Sequence, residues 1–247
     1  MRSSTVQVAT DDGLADAYLT LPDDADRHPG VLLVMDAFGL RPRIEEMADR
    51  IAERGYAVLA PNVFYRAGRA PVLPFPDLSA EGGRAEFFKS VRPLMDELTP
   101  TRVAADGESC LDKLAEAADE PFAVVGYCMG ARLGWRIAAA HPDRVAALAA
   151  FHAGGLVTDD PQSPHRSAGS VRAEVYLAHA DNDPSMTPEQ IATLNEALEE
   201  AGVVHRADVY AGARHGYTMR DTPAYDEQAC ERHFGALFEL LGRRLGN

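Results

Sequence analysis

The chain has 247 residues, 46% of them hydrophobic, and a formal net charge of -14. That apolar share can fill a full core, so one α/β domain over residues 1–247 is the expected organisation, while the negative surplus repels polyanions and excludes an electrostatic nucleic-acid surface. Cys110, Cys128 and Cys230 show no paired spacing and no Cys/His cluster of metal-ligand type accompanies them, so neither a disulfide framework nor a metal or cofactor is expected.

The opening Met1-Arg2-Ser3-Ser4 leads into a polar strand without an apolar leader core, and no stretch approaches membrane-spanning length. A cytoplasmic protein without a membrane partner is therefore expected. Val6–Ala9 and Ala15–Leu21 alternate on either side of Asp11-Asp12-Gly13, the pattern of an antiparallel hairpin at a sheet edge. Val31–Met35 is short and continuously apolar, as in a strand covered on both faces of a parallel sheet. A helix is predicted from Arg43 to Arg54, with Ile44, Met47, Ala48 and Ile51 on one face and Gly55 as its stop, followed by a strand over Tyr56–Ala60.

From Asn62 to Leu98 the composition turns to proline and aromatics, with Arg66, Arg69 and Arg84 among them. This predicts an irregular insertion over 62–98 that covers a site, since long loops in compact domains are commonly functional covers. Helical periodicity returns over Thr101–Ala118 and Met129–Ala140, with apolar strands at Phe122–Tyr127, Val145–Phe151, Ala173–Ala180 and Arg206–Tyr210. Helices over Pro188–Ala201 and from about Pro223 to Leu245 complete the chain. Alternating strands and helices make a doubly wound, mostly parallel sheet with an N-terminal antiparallel hairpin, whose sites lie at the carboxyl ends of its strands.

The segment the chain turns on is Gly126-Tyr127-Cys128-Met129-Gly130, where a buried strand passes directly into a helix. Glycines two residues either side of a tight apex leave room for nothing larger than hydrogen. A thiol at a helix N-terminus meets the positive end of the dipole, and the amide of Met129 is free to receive a developing oxyanion. Cys128 is therefore the candidate nucleophile, with a structural cysteine at a glycine-rich contact as the alternative. Asp181 and Asp183 follow a later strand and His215 follows the last one. The chain order is then nucleophile, acid, histidine, as in α/β-hydrolases. The histidine would take the thiol proton, and one of the two carboxylates would hold the imidazole in the right tautomer.

These motifs resemble the dienelactone hydrolase family over nearly the whole chain. The resemblance rests on Gly126-Tyr127-Cys128-Met129-Gly130-Ala131, Asp36-Ala37-Phe38-Gly39-Leu40, Ala60-Pro61-Asn62-Val63-Phe64-Tyr65-Arg66 and Gly212-Ala213-Arg214-His215-Gly216-Tyr217. It implies an α/β-hydrolase fold and hydrolysis of a small-molecule ester or lactone through an acyl-thioester, by a monomer or a homodimer. Cys128 would be the nucleophile, His215 the base, Asp183 the orienting acid, and the amides of Ala37 and Met129 the oxyanion hole. Asp183 is preferred over Asp181 because Ala180-Asp181-Asn182-Asp183-Pro184 is similar to the family's Gly-x-x-Asp-Pro turn.

Asp36 stands where the family's type member has a glutamate that touches the resting thiol and changes partner when substrate binds; it is thus a candidate gate on the thiol. Arg84 and Arg220 lie in regions where that member binds its substrate carboxylate, but no motif assigns either. Two rivals remain at sequence level. One is a Cys amidotransferase or peptidase-like enzyme, disfavoured because Tyr217 stands where such folds carry an acid. The other is a redox-sensing or small-molecule binding protein on the same scaffold.

Overall fold

The computed structural model describes residues 1–246. Strands β1 (Arg2–Thr10) and β2 (Gly13–Leu21) form the expected edge hairpin, paired from Thr10 with Gly13 down to Arg2 with Leu21. Gly13 takes φ 139° at the turn, where a side chain would be strained. Then come β3 (His28–Val34), α1 (Pro42–Ala52), β4 (Ala57–Pro61), α2 (Gly83–Asp96), α3 (Pro100–Ala115) and β5 (Ala118–Tyr127). The chain continues through α4 (Met129–Ala140), β6 (Val145–Phe151), β7 (Glu174–Ala180), α5 (Pro188–Glu200), β8 (His205–Tyr210) and α6 (Glu227–Leu245). The eight strands lie in one sheet of order β1-β2-β4-β3-β5-β6-β7-β8, in which the pairs from β4 to β8 are parallel.

Helices α1 and α6 pack on one face of the sheet and α3 and α4 on the other. Val31–Val34, all of β4 and nearly all of β6 are buried as a result, which is why these segments read as unbroken apolar runs rather than alternating ones. Register then sets the site. Val34 pairs with Gly126, Tyr127 with Phe151, Phe151 with Ala178, and Ala180 with Tyr210. The residues just after β3, β5, β7 and β8 therefore emerge along one edge of the sheet.

The segment 62–98 is not irregular throughout, as its composition suggested. It holds a 3-10 turn at Tyr65–Ala67 and the fourteen-residue helix α2, with Pro93 inside its last turns. Phe87 and Val91, one helical turn apart, are buried against the body. Burying two such side chains contributes about 1.5–3 kcal/mol each, enough to offset the roughly 3 kcal/mol that a proline inside a helix costs. The final helix begins at Glu227 rather than near Pro223, capped by Asp226, whose side chain accepts from the Ala229 amide at 2.8 Å.

Candidate active site

Cys128 sits at φ 54° and ψ -113°, a conformation that side chains rarely adopt. The turn is forced by close packing. A Cβ on Gly126 would lie 2.3 Å from the Gly130 carbonyl oxygen, and one on Gly130 would lie 2.3 Å from the Val34 carbonyl oxygen. The elbow is thus pressed against its own helix and against the end of β3, and the Cys128 amide is tied to the Phe151 carbonyl at 3.0 Å.

Three of the expected side chains meet at this point. His215 Nε2 is 2.9 Å from Cys128 Sγ, and His215 Nδ1 is 2.6 Å from Asp183 Oδ2. The other Asp183 oxygen accepts from the Ser185 amide at 2.9 Å and from its hydroxyl at 2.7 Å, and that hydroxyl also stands 3.2 Å from His215 Nδ1. Burial pushes the Asp183 carboxyl up, but the hydrogen bonds from His215 and Ser185 and the imidazole's charge outweigh it and hold it below the usual carboxylate range. Burial likewise disfavours a charged His215. Its interactions with Cys128 and Asp183 prevail, and raise the imidazole to about 10. Asp181 does other work: its Oδ2 accepts from the Gly212 amide at 2.8 Å and so fastens the exit of β7 to that of β8.

Ala37 and Met129 both line the cleft, and their amides have no hydrogen-bond partner among the described residues. Ala37 follows β3 in a turn closed by the Gly39 amide on the Asp36 carbonyl at 3.2 Å, and Met129 opens α4, where an N-terminal amide has no partner within its own helix. Asp36 does not bond the thiol. Its Oδ1 accepts from the Phe38 amide at 3.0 Å and from Arg41 Nη1 at 2.7 Å, and its Oδ2 from Arg41 Nη2 at 3.1 Å. The expected contact to Cys128 is not formed because Arg41, five residues on, folds back and takes the carboxylate.

The cleft over Cys128 measures about 680 Å³. Leu78, Arg84, Phe88 and Met95 of the segment 62–98 form one wall, with Arg84 lying over the Phe88 ring at 5.4 Å. Arg132 and Arg214 line it from the body. Arg220 points elsewhere and bonds Glu46 at 2.6 Å. Arg132, one turn into α4, makes no hydrogen bond or ion pair among the described residues, and burial pushes its guanidinium down from its ordinary value.

Sequence reading missed Arg132, Ser185, Arg41 and His152. Ser185 had a signal, since an aspartate in a turn commonly accepts from the backbone amide two residues on. His152 is fully buried at φ 38° directly after β6, bonds Thr218 Oγ1 through Nε2 at 2.8 Å, and sets its ring edge-on to His215 at 5.4 Å. Burial holds it well below the ordinary histidine value, hence neutral. Cys110 and Cys230 are buried away from the cleft. Among the described residues there is no group of three His, Cys, Asp or Glu that could hold a metal, and no helix long and apolar enough to cross a membrane.

A model of the dienelactone hydrolase family matches residues 15–245. The chain belongs to the dienelactone hydrolase family. With it, the chain belongs to the hydrolases of lactone and ester bonds. Among relatives of this dienelactone hydrolase family member, a Yersinia pestis protein provisionally named a carboxymethylenebutenolidase is 28% identical over 226 residues, 87% of this chain and 78% of that one. A Rhodococcus opacus carboxymethylenebutenolidase is 27% identical over 201 residues, 81% of this chain and 74% of that one. A Klebsiella pneumoniae structure, provisionally named a dienelactone hydrolase, shares the fold at a TM-score of 0.86 with 22% identity and 98% of each chain covered.

Proposed function

We propose that the chain hydrolyses small esters or lactones by nucleophilic catalysis at Cys128. The observation that carries this is the continuous relay from Cys128 Sγ through His215 to Asp183, placed beneath a cleft and beside two unpartnered amides. The thiol proton passes to His215 Nε2 and the sulfur adds to the substrate carbonyl carbon. The new oxyanion is held by the Ala37 and Met129 amides. As it collapses, the carbon–oxygen bond to the alcohol breaks and His215 protonates the departing oxygen, leaving an acyl-thioester. Water then gives its proton to His215 and adds to the thioester carbon. The second collapse breaks the carbon–sulfur bond, His215 returns its proton to the departing sulfur, and the acid is released. Asp183, held in turn by Ser185, keeps the imidazole in the tautomer that presents Nε2 to the sulfur.

The cleft favours a substrate that carries a carboxylate apart from the scissile bond. Arg84, Arg132 and Arg214 all line it, and the relatives named for carboxymethylenebutenolide agree with that charge. Arg132 is the strongest of the three, being a half-buried cation in the first turn of a helix, where burial and the dipole oppose it and no hydrogen bond or ion pair holds it among the described residues.

The test is turnover of a chromogenic short-chain ester in reducing buffer, with acid quench and intact mass measurement. An acyl adduct on wild type that is absent from Cys128→Ala supports the reading. Turnover that survives in Cys128→Ala overturns it.

A further inference from the structure

We infer that Asp36 is a positioning residue for the oxyanion hole, holding the turn that presents the Ala37 amide, rather than a gate on the thiol; this rests on the hydrolytic reading above. Residues 36–39 form a turn closed twice. The Gly39 amide donates to the Asp36 carbonyl at 3.2 Å, and the Phe38 amide donates to Asp36 Oδ1 at 3.0 Å. An aspartate that accepts from the amide two residues on fixes the peptide between them. The Phe38 and Gly39 donors are thereby consumed within the turn, while the Ala37 N–H has no partner among the described residues and its residue lies with Met129 in the wall of the cleft.

The carboxylate that shapes this turn is itself held rigid. Arg41 grips it with two nitrogens, at 2.7 and 3.1 Å, and reaches with Nε to Asp221 Oδ2 at 2.6 Å on the loop beyond His215. The Arg41 guanidinium also lies over the rings of Phe38 and Phe75, at 5.4 and 5.5 Å. One side chain therefore ties the oxyanion turn to the histidine loop and to the cover. A buried ion pair is weak evidence for stability, because desolvation offsets its attraction. Its better-attested use is to specify geometry, and here the geometry it specifies is that of a catalytic donor.

The gate reading and this one predict opposite behaviour for the same substitution. Asparagine keeps the acceptor for the Phe38 amide and loses the charge; alanine loses both. Because asparagine would also set its NH₂ or its carbonyl against Arg41, and alanine would leave that guanidinium half-paired, the decisive comparison is made in the Arg41→Met background, where neither variant faces a guanidinium and both share the same loss of the Arg41 bond to Asp221. There, Asp36→Ala is expected to lower kcat for a p-nitrophenyl ester by about 10- to 100-fold relative to Asp36→Asn, in line with the cost of a weakened oxyanion donor, with KM changed less than about threefold.

Inhibition by butyraldehyde, which adds reversibly to the thiol and places its oxygen in the hole, should weaken by a similar factor, while inhibition by butyrate should not. Iodoacetamide labelling of Cys128, with Cys110 and Cys230 replaced by serine, should proceed at the same rate in both variants and in wild type. The inference is overturned if the asparagine variant is no better than the alanine one, if aldehyde affinity is unchanged, or if removing the charge speeds labelling. A wild-type protein inactive on esters sinks instead the functional reading on which the inference stands. An active wild type with matched Asn and Ala variants sinks the inference alone.

Discussion

His215 Nε2 stands 2.9 Å from Cys128 Sγ although 87 residues separate the two in the chain. Cys128 follows the central strand β5 and His215 follows the edge strand β8, so the contact spans three strand spacings of the sheet. It is made possible by the loop after β8, which the Asp181 to Gly212 bond folds back over the strand ends.

Replacing the sulfur tests that contact most directly. Cys128→Ala should lower ester turnover by about 10³-fold or more, since removing a nucleophile leaves only binding and the oxyanion donors. The melting temperature should not fall, because alanine is smaller and the residue lies in a strained conformation for either side chain. Cys110→Ser and Cys230→Ser should keep the wild-type rate. Initial rates and thermal unfolding of the three variants measure this.

The two aspartates of the β7 exit should separate cleanly. Asp183→Asn removes the partner of His215 Nδ1 and should cost about 10²- to 10⁴-fold in kcat. Asp181→Asn, which can still accept from the Gly212 amide, should cost less than about threefold. Steady-state kinetics on one ester decides, and the reverse ranking would mean that the relay runs through the wrong carboxylate.

Stability should depend on pH through His215. Its folded value lies at about 10, above the ordinary 6.5. A group raised on folding contributes stability fully below its unfolded value, and that contribution disappears as pH rises through the folded one. Wild type should therefore lose unfolding free energy between about pH 6.5 and pH 10. His215→Gln should show a flatter profile over the same interval. Urea unfolding at a series of pH values reads this difference.

Arg132 should discriminate substrates by charge. Arg132→Gln should raise KM for p-nitrophenyl hemiglutarate by about tenfold or more, the worth of a hydrogen bond to a charged group. For neutral p-nitrophenyl butyrate it should change KM less than about twofold. Equal effects on the two esters would remove Arg132 from substrate recognition.

Much of the fold was legible because its signals are local. The apolar runs of β3, β4 and β6 follow from burial on both faces, and α4 begins and ends where its glycine elbow and His141-Pro142 place it. The helix α2 was hidden because Gly82 and Gly83 at its start and Pro93 within it mask a period that only Phe87 and Val91 carry. Cys128 and His215 stood out as candidates by their places at strand ends, whereas strand position alone left Asp181 and Asp183 equal and only the resemblance to a family turn favoured Asp183.

What the sequence by itself determined, then, is the order of elements and the chemistry available at each strand end, since periodicity, turn residues and the paired glycines act within a few residues of one another. The tertiary structure alone decided which charges meet. Whether Asp36 faced the thiol or an arginine depended on Arg41 folding back between Asp36 and Asp221, 180 residues apart from the latter in the chain. Whether Arg132 was compensated depended on which carboxylates the packed sheet brought near it. Ionic partners are chosen by distance in space, and a side chain with several rotatable bonds carries no local pattern that announces its choice.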